Sequence, residues 1–124
     1  KYHTIVMKGS DPYAEINQAF SRLEEIEAEQ SELEEEKQEL ENEIDRLTSD
    51  IPKAEEQYHK AVAHNRLEEA KKWVERLDRW RSQCREKKER LELVVERISE
   101  IESEKYEPFK RLNPKAKETL KELI

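Results

Sequence analysis

Apolar side chains return every three and four residues along two stretches of this chain, and that rhythm decides most of what it can become. In the first stretch Ile16, Leu23, Gln30, Lys37, Ile44 and Ile51 occupy heptad position a, and Ala19, Ile26, Leu33, Leu40 and Leu47 occupy d. In the second, Ala70, Leu77, Cys84, Leu91, Ile98 and Lys105 take a, while Trp73, Trp80, Lys87, Val94 and Ile101 take d. Residues at this spacing fall on one side of a helix. Sustained over about five heptads in each stretch, the pattern is that of helices wound around each other. The predicted core is therefore Ile16, Leu23, Ile26, Leu33, Leu40, Ile44 and Leu47 against Trp73, Leu77, Trp80, Cys84, Leu91, Val94, Ile98 and Ile101. Composition alone, 44% charged and 34% hydrophobic, would also suit a disordered chain. The periodicity removes that reading.

Helix breakers divide the chain. Residues 1–10 read as an N-terminal tail whose short apolar run is too brief for a membrane span. Ser10 and Asp11 precede Pro12, a capping side chain before a proline suited to a first helical turn. No breaker follows for many turns, so a first long helix is expected over 11–50. Pro52 pushes Ile51 off helical geometry and Asp50 can cap what comes next, predicting a short connecting helix and turn over 51–65. His64-Asn65 closes it, because asparagine tolerates the left-handed conformation that ends helices. A second long helix is expected over 66–107, stopped by Glu107-Pro108. Asn113-Pro114 opens a final short helix within 108–124. The fold class is all-α: a long antiparallel helical hairpin, or coiled coil, with short connecting and C-terminal helices.

Folded about the connection near Pro52, the two stripes meet in one preferred register. Ile44 faces Trp73, Leu40 faces Leu77, Leu33 faces Cys84, and Gln30 faces Lys87. Lys37 lies on the indole of Trp80, a cation–π contact. The flanking pairs become Glu43 with Arg76, Glu29 with Arg90, Glu34 with Arg81, Glu27 with Lys88 and Phe20 with Val95. A parallel homodimer would set the acidic run from Glu24 to Glu43 against itself, which favours the intrachain hairpin.

The net charge of -7 opposes non-specific binding to nucleic acid or anionic lipid. The stretch 71–90 is locally basic and carries Trp73 and Trp80, so a nucleic-acid-associated regulator is the alternative function. Both tryptophans sit at core positions, however, and are not free to stack on bases. The single glycine, Gly9, excludes a glycine-rich phosphate loop, and His3, His59 and His64 are scattered. No catalytic residues, metal site or cofactor are expected. Cys84 reads as a small buried hydrophobe, and a lone cysteine suits a reducing, cytoplasmic location. Tyr13, Phe20, Leu93, Val95, Tyr106, Phe109, Leu120, Leu123 and Ile124 lie off the core stripe. They either fold back as a small cap or form a partner interface. The expected function is a non-catalytic protein–protein interaction module: a scaffold, spacer, adaptor or protein inhibitor. Its partner is another protein or a second copy of itself, as a homodimer, with neither nucleic acid nor membrane involved.

Overall fold

A computed structural model describes residues 12–123 as an all-α hairpin. The tail over 1–10, the cap at Asp11 and Ile124 lie outside the described residues. Two long helices, α1 (Pro12–Ala63) and α2 (Leu67–Glu104), pack against each other and are followed by α3 (Glu107–Lys110) and α4 (Pro114–Leu123). The chain divides into two compact units. The arm unit is Leu33–Arg97. The terminal unit combines Lys1–Glu32 with Ile98–Ile124.

The short connecting helix expected over 51–65 is instead the last part of α1, which runs through Pro52 without a break. A proline inside a helix loses one hydrogen bond and crowds the preceding turn, at about 3 kcal/mol. Pro52 is exposed, so its ring stands outside the packed stripe. The heptad continues through it: Ile51 and Tyr58 hold a, Ala54 and Ala61 hold d. Ala54 and Ala61 are buried, with Ala70 and Leu77 buried across from them and Trp73 and Trp80 half-buried. Each large apolar side chain brought under cover returns about 1.5–3 kcal/mol, so continuing the helix outweighs the proline.

The chain reverses at His64-Asn65-Arg66. Asn65 has φ 56°, in the left-handed region. Its N–H donates to the Val62 carbonyl at 3.0 Å, and the Arg66 N–H donates to the Ala61 carbonyl at 2.7 Å. These two bonds close a Schellman cap and satisfy carbonyls that the end of α1 would otherwise leave open.

Moving the reversal point displaces the register by about two heptads. Lys87 Nζ lies 2.6 Å from Glu43 rather than beside Gln30, and Arg90 pairs with Glu36 rather than Glu29. Arg81 pairs with Glu55 rather than Glu34. One turn nearer the reversal from the Glu43–Lys87 contact, Leu47 comes level with Cys84. Trp80 comes level with Ile51 instead of Lys37. A cation–π contact forms within α2, where Arg76 lies 4.6 Å from the Trp73 ring.

In the terminal unit, the end of the chain folds onto the start of α1. Ile16, Ala19, Leu112 and Ala116 form a buried cluster, with Phe109 and Leu120 packed against it. The Asn113 side chain caps α4 by accepting the Ala116 N–H at 2.8 Å. Its amide group and backbone N–H both donate to the carboxylate of Glu15 on α1. One asparagine thus starts the helix and ties it down.

Candidate interaction surface

Every residue of the predicted core stripe is buried or half-buried. Ile16, Leu40, Leu47, Leu77, Cys84, Val94 and Ile101 are buried. Leu23, Ile26, Leu33, Ile44, Trp73, Trp80, Leu91 and Ile98 are half-buried. Ala54, Ala61, Leu112 and Ala116 join them unforeseen. The first two continue the d positions beyond Pro52. Leu112 precedes the Asn113 cap, and Ala116 lies in the first turn of α4.

The off-stripe residues divide. Phe109 and Leu120 are half-buried against the terminal cluster and act as its cover. Phe20 meets Phe109 edge to face, with ring centroids 5.0 Å apart, and not Val95. Tyr13, Phe20, Tyr106 and Leu123 of the terminal unit stay exposed, Leu123 by 60%. Leu93 and Val95 are exposed on α2 of the arm unit. Val62 and Leu67, which are not among the residues expected at a surface, flank the reversal and are exposed, Leu67 by 65%. Their signal was available, since both fall at heptad position e, beside the core stripe.

Ion pairs line the helix contacts. Arg90 donates twice to Glu36, at 2.6 and 3.0 Å, a two-point grip. That hydrogen bond, helped by the nearby guanidinium charge, holds Glu36 below the ordinary carboxylate range. The Lys87 ammonium lowers Glu43 in the same way. In the terminal unit Gln30 first, and then Lys105, lower Glu102. A carboxylate whose folded pKa is depressed stabilises the fold above its unfolded value, here near 4.5, and that contribution disappears as pH falls below it. The triple variant Glu36→Gln, Glu43→Gln, Glu102→Gln should therefore melt below the parent at neutral pH. As pH falls through the lowered folded pKa values of these groups, the two melting curves should converge. The difference between variant and parent isolates these three groups from the protonation of other glutamates. A gap that persists in acid would contradict the assignment.

Among the described residues, no group of three or more His, Cys, Asp or Glu side chains is arranged to hold a metal ion. No helix in this range is long and apolar enough to cross a membrane. Cys84 is a buried free thiol. Comparison with known protein families, curated proteins and solved structures gives no match.

Proposed function

We propose that the protein is a non-catalytic interaction module, a helical hairpin that serves as scaffold, spacer, adaptor or protein inhibitor and associates with itself. The observation that carries this reading is the set of large apolar side chains left exposed on well-formed helices: Tyr13, Phe20, Tyr106 and Leu123 in one unit, Val62, Leu67 and Val74 in the other. Exposed apolar groups gathered this way usually mark a contact surface. A reducing, cytoplasmic setting belongs to the same proposal, supported by the single buried thiol of Cys84.

The alternative, nucleic-acid contact through 71–90, draws on the exposed Lys71, Lys72, Arg79 and Arg85. Against it, Arg81, Lys87 and Arg90 already hold acidic partners, and Trp73 and Trp80 are half-buried. Sedimentation of the full chain over a concentration series tests the main reading. Its mass should rise with concentration above that of one chain. A single-chain mass throughout would remove self-association.

A further inference from the structure

The arm unit carries its exposed apolar groups mainly on one side. In an antiparallel helix pair, the e positions of both helices flank the core on one side and the g positions on the other. Ion pairs mark the two sides here: Glu55 and Arg81 are both at e, whereas Glu36 and Arg90 are both at g. Val62, Leu67, Val74 and Val95 all fall at e, and of the unit's exposed large hydrophobics only Leu93 does not. The g positions of the same unit are all polar or charged.

Packing is also open along the e side. One groove is lined by half-buried Tyr58 and buried Leu77 beside Val74. A second is lined by half-buried Ile51 and buried Cys84 beside Arg81 and Lys88. A third is lined by half-buried Ile44 and Leu91 beside Glu41. The half-buried core residues at a, Ile44, Ile51, Tyr58 and Leu91, thus line grooves on the side where e carries apolar groups. Apolar residues at a, d and e, rather than a and d alone, characterise helices covered by further helices in a bundle.

We propose that a second copy of this chain packs on the e side of the arm unit, forming a four-helix bundle whose two-fold axis runs parallel to the helices. The proposal rests on the self-association argued above and adds its surface and geometry. Charge selects both the occupant and the axis. The e positions of α1 include Glu34, Glu41 and Glu55, and those of α2 include Arg81 and Lys88. With the axis along the helices, α1 of one protomer lies against α2 of its partner at the same level. Glu41 then meets the partner's Lys88, and Val62 meets the partner's Leu67 and Val74. An axis across the helices would reverse the levels, bringing Glu41 to the partner's Glu55 and Arg81 to the partner's Arg81. Among the described residues, neither Glu41 nor Lys88 has an ion-pair partner within its own protomer. The strip from Glu34 to Val62 runs about 42 Å at 1.5 Å per residue. Two helices wide, it offers roughly the 800 Å² per partner of a standard interface.

Sedimentation of the full chain and two charge reversals tests this. Lys88→Glu and Glu41→Lys should each raise the dimer dissociation constant about tenfold or more, because each sets like charges together twice across the axis. An equimolar mixture of the two variants should restore association to near the parent level, since each supplies the charge the other lacks. Contacts within one protomer cannot produce that rescue. Unchanged helical circular dichroism would show that both variants fold. Failure of the mixture to associate better than either variant alone would overturn the geometry. Undiminished dimerisation of both variants would overturn this surface and leave the interaction module standing. A parent that sediments as a single chain at every concentration would remove both.

Discussion

Replacing Leu47 with cysteine is expected to produce an internal disulfide with Cys84 on mild oxidation. Both positions are buried, and they face each other one turn nearer the reversal than the Glu43–Lys87 contact. A d residue facing an a residue across an antiparallel pair stands within the Cα separation that a disulfide spans. Closing a loop of this length should stabilise the oxidised protein by about 3–4 kcal/mol over its reduced form, a rise of roughly 10 °C in melting temperature. Thermal melts with and without reductant measure it, and mass spectrometry of a proteolytic digest locates the bond. Leu33→Cys is the control. It lies about 20 Å along α1 from Leu47 and should stay unlinked to Cys84. If Leu33→Cys cross-links internally and Leu47→Cys does not, the helix register described above is wrong.

Ala116→Asp should release α4 from the start of α1. Ala116 is fully enclosed in an apolar cluster with Ile16, Ala19 and Leu112. Burying an unpaired charge there costs several kcal/mol, more than a ten-residue helix gains by docking, so the helix detaches instead. Limited proteolysis should then cut rapidly between Glu107 and Asn113, and circular dichroism should lose the contribution of α4. Tryptophan fluorescence should not change, because Trp73 and Trp80 both belong to the arm unit. Asn113→Ala should give a milder form of the same result, near 1 kcal/mol for the lost cap plus the loss of its side-chain bond to Glu15. A parent-like cleavage pattern in Ala116→Asp would show that the cluster does not hold the end of the chain.

Much of the architecture was legible residue by residue. The a and d stripes, the hairpin, the stop near Glu107 and the Asn113-Pro114 start all follow from local chemistry. Pro52 misled because its penalty is local, while what outweighs it lies on the opposite helix. Ala54 and Ala61 continue the heptad past the proline, but two alanines are a weak signal until Ala70 and Leu77 stand across from them. The candidate surface was less legible. Phe109 and Leu120 resemble interface residues in sequence and serve as internal cover, whereas Val62 and Leu67 drew no notice beside a turn. Heptad position e was the informative label, and its meaning depends on which helix lies alongside.

By itself, then, the sequence determined that this protein is two long helices joined end to end, each burying one stripe. Periodicity and capping act within a few residues, so they can be read without a partner. The register was decided only by the tertiary structure. A seven-residue pattern matches itself again after every heptad, so sliding the helices by whole heptads keeps a against d and changes little locally. What distinguishes the alternatives is where the chain reverses. The left-handed turn at Asn65 closes α1 there, and the apolar cover gained by carrying the helix through Pro52 makes that reversal the favourable one.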